Sequence, residues 1–256
     1  MMTSSDDVSH RDSKFIVFSD FDGTITTEDS NDHMTDNLGF GKELRRSKNI
    51  EVLEGKTVFR DSFQEMIDSV SAKHSFDECR QIVQNNIKLD PGFKDFLAYA
   101  KSVKIPVVIV SSGMVPIIRA IFENLVGKED ADQIEIVANE VDLSRGSGPG
   151  QWTIKFRHPE SGFGHDKDRC ISPYRDLSPK PTIFFCGDGV SDLSAAKSAD
   201  CLFVKVKEGS GNDLAKHCEV EKIRHVRFSS FLDVRDVVKS VVDGKSRVED
   251  VGSFSS

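Results

Sequence analysis

The stretch FIVFSDFDGT, residues 15–24, limits the folds open to this chain more than any other segment. Four consecutive apolar residues, Phe15 to Phe18, run almost directly into two carboxylates, Asp20 and Asp22. An unbroken apolar run fits a strand buried on both faces of a parallel sheet, whereas a half-exposed strand alternates apolar and polar positions. In open α/β sheets ligands bind beyond the carboxyl ends of the strands, so this strand delivers two acids to a crevice.

Further buried strands are predicted at IPVVIVSSG, where Pro106 stands at the start and costs no ladder bond, and at TIFFCGDG, CLFVKV and HVRF. Between them the spacing predicts helices: one from Asp90-Pro91, with Asp at the cap and Pro at the first position; one over Val115–Val126, stopped by Gly127; one beginning near Ser191; one from about Asn212; and a last one near Phe231–Val242. Pro173 predicts a short or kinked helix after Lys167. The alternation implies an α/β fold, a doubly wound, mostly parallel, Rossmann-like sheet. Two insertions interrupt it. Residues 26–90 lack a clear strand and read as a helical cap, with Thr57 as N-cap for the row Phe59, Phe63, Met66, Ile67 and Val70, and Ser75 capping the next helix. Residues 134–156, two strand-like runs flanking SRGSGPG, read as a β-hairpin. The expected organisation is thus a polar tail at 1–13, a core of 14–25 and 91–243, the cap at 26–90, and a second tail at 244–256.

Composition excludes several function classes. A net charge of −8 argues against nucleic-acid and anionic-membrane partners, which reward clustered Lys and Arg. No apolar run approaches the roughly 20 residues of a membrane-spanning helix. The segment MMTSSDDVSHRDSK has no apolar core, and the five cysteines are odd in number, widely spaced and without a CxxC pair. Both point to a reduced, cytoplasmic chain.

The expected strand ends carry Asp20 and Asp22, Ser111 and Ser112, and Asp188 with Asp192 beyond it. Parallel strands present their carboxyl ends at one edge, so these groups are expected to converge. Two like unit charges about 4 Å apart repel by about 4 kcal/mol at an effective dielectric of about 20, so four carboxylates in one crevice call for a cation. Few hard oxygen ligands suit Mg²⁺, which keeps waters and completes its shell from a phosphate. Lys167, in GHDK after the hairpin, offers a fixed positive charge.

With DFDGT at 20–24, Ser111 after the second strand, Lys167, and GDGVSD at 187–192 in this order, the sequence resembles phosphatases of the haloacid dehalogenase superfamily. The resemblance implies that Asp20 is the nucleophile, forming an aspartyl-phosphate, and that Asp22 protonates the leaving group and then activates water. It implies a Mg²⁺ site from Asp20, the backbone carbonyl of Asp22, and Asp188. Ser111, the backbone of Ser112 and Gly113, and Lys167 are implied to take the phosphate oxygens, with Asp192 orienting Lys167. His158 and His165 are read as structural, because Asp22 leaves no base missing.

A cap between the first two strands is similar to that of the phosphoserine-phosphatase branch. The hairpin, FGHDK, LDPGF, SSGM and CGDGVSDLSAAK look more like fungal polyol-phosphate phosphatases, with methylthioribulose-pathway phosphatases more distant. The implied substrate is a small phosphomonoester, a sugar-alcohol phosphate, with Asp29, Asn31, Asp32 and Arg60 as cap residues facing it. Phosphoserine and the methylthioribulose-pathway intermediate are the alternative substrates. A receiver-like phospho-aspartate signalling module is the non-enzyme alternative; it needs neither Asp22 nor a cap of this size.

Overall fold

The computed structural model describes residues 8–207 and 212–252; of the expected tails at 1–13 and 244–256, residues 1–7 and 253–256 lie outside the described residues. In chain order the elements are β1 (Phe15–Ser19), the tight turn Phe21–Ile25, α1 (Ser30–Leu38), α2 (Lys42–Leu53), α3 (Phe59–Ser71), α4 (Phe76–Asn86), α5 (Phe93–Ser102), β2 (Val107–Met114), α6 (Val115–Val126), α7 (Lys128–Asp132), β3 (Glu135–Asp142), β4 (Thr153–Lys155), α8 (Asp168–Arg175), β5 (Thr182–Gly187), β6 (Cys201–Lys205), α9 (Asp213–Val220), β7 (Val226–Phe228) and α10 (Phe231–Val242). The strand order is β4-β3-β2-β1-β5-β6-β7. β1 is paired in parallel on both edges, Ser19 lying opposite Ile109 of β2 and Cys186 of β5. β5, β6 and β7 continue in parallel, and β3 with β4 forms the antiparallel hairpin. The doubly wound, mostly parallel sheet with helices inserted between β1 and β2 is the architecture the apolar runs predict.

The chain divides into two compact units. Among the described residues the first comprises 8–25, 90–110, 167–207 and 212–252. Ile16, Val17 and Phe18 of β1 and Phe184 and Phe185 of β5 are buried on both faces, which accounts for their unbroken apolar sequence. α5 and α10 pack through Phe93 and Phe96 against Phe231, with ring centroids 4.9 and 5.2 Å apart. A buried ion pair, Lys205–Asp90, lies in the same layer.

The second unit comprises residues 26–89 and 111–166. Its helix α3 buries Phe63, Met66, Ile67 and Val70, the row given by helical spacing. The hairpin binds α3 and α4 closely: Phe76 N donates to Ser147 O at 2.8 Å, Gly150 N to Ser71 O at 2.6 Å, and buried Trp152 donates Nε1–H to His74 O at 2.9 Å. Its indole also meets the Phe76 ring edge-on at 5.3 Å.

Helix starts differ locally from expectation. α3 is capped by Val58, with no side-chain bond from Thr57, because the first-turn amide of Arg60 finds Gly162 O at 2.8 Å. α5 begins at Phe93 after Gly92, not at Pro91; Asp90 Oδ1 instead accepts from Gly92 N at 2.8 Å and from Phe231 N at 3.0 Å, so one carboxylate serves two helix starts. The helix expected near Ser191 is a single 3₁₀ turn, Val190–Asp192. There the Asp192 carboxylate turns back to the preceding amides instead of leaving the turn to propagate. α8 is short and contains Pro173, as expected.

Candidate active site

Immediately after β1 the chain makes the turn Phe21–Ile25. Asp22 is extended, at φ −72° and ψ 121°, and Gly23 takes φ +78°, a region in which L side chains are strained. A Cβ on Gly23 would stand 2.4 Å from Asp188 Oδ2, so glycine is needed both for the turn and for the approach of the Asp188 carboxylate. Phe21, between the two acids, is buried, and so are Asp20 and Asp22.

Within the first unit, Asp20, Asp188, Asp192 and Lys167 come together. The Lys167 ammonium donates to Asp20 Oδ1 at 2.7 Å and to Asp192 Oδ1 at 2.6 Å, and Lys167 itself is wholly buried. Asp192 Oδ2 accepts from the amides of Asp188 and Gly189 at 2.9 and 3.0 Å, so both of its oxygens are committed. Asp188 Oδ1 accepts from the Thr24 hydroxyl at 3.2 Å. Lys207 Nζ lies 3.9 Å from Asp188 Oδ2. Asp22 is buried alongside Thr24 in the same unit.

Burial pushes the Asp20 carboxyl well above the usual carboxylate range; the Lys167 charge opposes this, while Asp192 and Asp188 add to it by repulsion. Burial also acts against the charged form of Lys167, but Asp192 and Asp20 outweigh it and hold the ammonium above the ordinary lysine value. The lysine therefore remains a fixed cation.

The donor set fits a hard divalent ion. Asp20, Asp188 and Asp192 can each offer one oxygen, all within 4.8 Å of one another. With Lys167 they carry a net charge of −2 when ionised, which a dication balances. Asp192 is occupied by Lys167 and two amides, so Asp20 and Asp188 are the carboxylates that would supply oxygens to an ion.

The second unit holds Ser111, Ser112 and Gly113, all buried at the end of β2. Gly113 N–H donates to Ser111 Oγ at 3.0 Å. The Ser111 carbonyl lies 2.6 Å from His165 Nδ1, and the Ser112 carbonyl accepts from Asn139 Nδ2 at 2.7 Å. The four cap residues are in the same unit. Asp29 caps α1, accepting from the amides of Asn31 and Asp32 at 2.7 and 2.9 Å. Asp32 meets Arg45 at 2.7 Å, Asn31 is buried, and the Arg60 guanidinium donates to Pro159 O at 2.5 Å and pairs with Asp61 at 2.7 Å.

Thr24 and Asn139 escaped sequence reasoning as polar contributors. Thr24 was visible only as part of DFDGT. Asn139 carried one faint signal, an amide inside the run IVANEV, where it is fully buried and also accepts from Arg157 N at 2.9 Å.

The sequence profile described as haloacid dehalogenase-like hydrolase matches residues 17–197. Pdp3-interacting factor 1 of Schizosaccharomyces pombe is 50% identical over 220 residues, covering 85% of this chain and 92% of that protein. Polyol phosphate phosphatase PYP1 of Saccharomyces cerevisiae is 43% identical over 246 residues, covering 93% and 98%. Among solved structures, a phospho-aspartyl intermediate analogue of phosphoserine phosphatase aligns with a TM-score of 0.63 at 18% identity, covering 89% of this chain and 98% of that one; the likeness is one of fold.

Proposed function

Because the chain belongs to the haloacid dehalogenase-like hydrolases and is a phosphoric monoester hydrolase of that family, we propose that it hydrolyses a small sugar-alcohol phosphate through an aspartyl-phosphate on Asp20. The observation that carries this reading is the buried Lys167 bridge between Asp20 and Asp192, with Asp188 beside it. Lys167 leaves Asp20 one oxygen for attack while fixing the other, and an ionised carboxylate is a competent nucleophile toward phosphorus. Asp192 is the support that keeps Lys167 in place.

Asp20 attacks phosphorus, and the bond from phosphorus to the leaving oxygen breaks as the bond to Asp20 forms. Asp22, two residues on, gives its proton to the leaving alkoxide and then takes one from the water that hydrolyses the acyl-phosphate. The Ser111 hydroxyl, the amides of Ser112 and Gly113, and Lys167 are assigned to the phosphate oxygens, where preorganised donors matter most for phosphoryl transfer. Asp20, the Asp22 carbonyl and Asp188 would hold Mg²⁺, whose contribution when bound is to offset negative charge on the carboxylates and the phosphoryl group.

The substrate class rests on the extent of similarity to the polyol phosphate phosphatase, which runs through nearly the whole of both chains. Asp29, Asn31, Asp32 and Arg60 remain the proposed selectors of the leaving group. None of the five cysteines is in a disulfide, which fits the reducing cytoplasm as the place of action. Among the described residues no helix is long and apolar enough to cross a membrane.

The test is phosphate release with Mg²⁺ over a panel of polyol phosphates, sugar phosphates and phosphoserine. A sugar-alcohol phosphate is expected to show the highest kcat/KM. A clear preference for phosphoserine would overturn the substrate class, and a single stoichiometric phosphorylation without turnover would favour the signalling module.

A further inference from the structure

His165 and Asn139 are both completely buried, lie far from Ser111 and Ser112 in sequence, and each hydrogen-bonds one of two consecutive carbonyls. A trans peptide is planar, with its carbonyl and the following N–H pointing in opposite directions. Whatever holds the Ser111 carbonyl therefore aims the Ser112 N–H, and whatever holds the Ser112 carbonyl aims the Gly113 N–H. The second half is directly visible: with Ser112 O held by Asn139, the Gly113 N–H points at Ser111 Oγ, 3.0 Å away.

We infer that His165 and Asn139 are positioning residues of the phosphate seat: His165 aims the Ser112 amide at the substrate's phosphate, and Asn139 holds the Gly113 amide on Ser111 Oγ, the hydroxyl assigned to a phosphate oxygen. The inference rests on the assignment of these groups to the phosphate in the proposed function. At 2.6 Å from a carbonyl oxygen, His165 Nδ1 must carry the proton and donate it. Asn139 is oriented in turn by Arg157 N, which donates to Asn139 Oδ1, so the amide cannot flip without losing both bonds.

The loop that supplies His165 is itself fixed. Gly164 N donates to Ser161 O at 3.0 Å and His158 N to Gly164 O at 2.7 Å, while Asp166 N donates to His158 Nδ1 at 3.1 Å. The two imidazoles lie 5.4 Å apart, centroid to centroid. Gly164 takes φ +69°, and a Cβ there would stand 2.4 Å from the Phe156 ring. Arg60 closes the loop from α3, through its amide to Gly162 O and its guanidinium to Pro159 O. The run FGHDK thus acquires a purpose: it brings one imidazole N–H to one carbonyl.

Outer hydrogen-bond partners of this kind typically carry about tenfold to a hundredfold in affinity or activity. The test is calorimetric titration of inorganic phosphate into full-length protein with Mg²⁺, in wild type and in His165→Leu, His165→Asn and Asn139→Leu, together with KM and kcat on the best substrate of the panel. His165→Leu and Asn139→Leu should weaken phosphate binding by about tenfold or more, with KM rising in step. His165→Asn, which keeps an N–H near the position of Nδ1, should stay within about threefold of wild type. Folded Leu variants with wild-type phosphate affinity would overturn the inference, as would equal loss in His165→Asn and His165→Leu, which would mean that ring packing is what counts. Should the Leu variants fail to fold, amide NMR of wild-type protein decides: phosphate should shift the Ser112 and Gly113 resonances, and unmoved resonances would overturn the inference. Wild-type protein that releases phosphate from no phosphomonoester would instead overturn the functional reading beneath it.

Discussion

Replacing Lys205 with Met probes the buried ion pair behind the DFDGT turn. The side chains of Lys205 and Asp90 are 4% and 1% exposed, so water can do little to replace a lost partner. Lys205 Nζ also lies 3.5 Å from Thr24 O and stands over the rings of Phe228 and Phe231, 5.0 and 5.6 Å from their centroids. Met keeps the length and apolar bulk of the stem but removes the charge, leaving the Asp90 carboxylate buried without its cation. Breaking a buried pair from one side typically costs about 3–5 kcal/mol. Asp90 retains bonds from Gly92 N, Phe231 N and Ser230 Oγ, which soften the loss, so the lower end, about 3 kcal/mol, is expected. Asp90→Asn in the Lys205→Met background removes the stranded charge while keeping an acceptor oxygen. The double variant should therefore be more stable than the sum of the single losses implies, with a coupling energy of about 2 kcal/mol. Urea unfolding followed by far-ultraviolet circular dichroism, which reports the helices of both units, reads this loss. A Lys205→Met loss within about 0.5 kcal/mol of zero, or strictly additive losses, would refute the reasoning.

Two further perturbations follow from the same geometry. Gly23→Ala meets both a left-handed backbone penalty of about 1–2 kcal/mol and a contact with the Asp188 carboxylate; it should depress turnover and raise the Mg²⁺ concentration needed for half-activity, and unchanged metal dependence would sink the claim that Gly23 makes room for Asp188. Burial pushes the thiols of Cys79 and Cys201 up to about 12 and that of Cys218 up to about 11, and drives Cys186 upward as well. These four should stay protonated and unreactive at neutral and mildly alkaline pH, so a disulfide reagent should modify at most the half-buried Cys170 until denaturant is added; rapid modification of two or more thiols in the native protein would contradict the buried core.

The elements that were legible in the sequence are those whose signal is local. β1 is a run of apolar residues because both of its edges and both of its faces are covered, and its two acids follow where the strand ends. α10 and α6 have the bounds their caps and apolar spacing predict. Where a residue answers to a partner distant in sequence, the sequence misleads. Asp90 reads as an N-cap, yet its carboxylate is shared between Gly92, Phe231 and Lys205, which come together only after folding. Asp192 reads as the first turn of a helix, yet its oxygens serve Lys167 and two amides. The contacts of His165 and Asn139 are invisible for the same reason: each is defined by a carbonyl on β2 that no periodicity connects to it.

The central claim is that a covalent bond forms between Asp20 and phosphorus, and trapping that bond tests it most directly. The protein is mixed with phosphate-labelled substrate and Mg²⁺, quenched in acid within the turnover time, digested, and mapped by mass spectrometry. The account predicts an acid-stable, hydroxylamine-labile label on the peptide bearing Asp20, absent from Asp20→Asn and strongly reduced in Asp22→Asn, which lacks the proton donor for the leaving group. Sustained turnover with no label on Asp20, or undiminished turnover in Asp20→Asn, would contradict it.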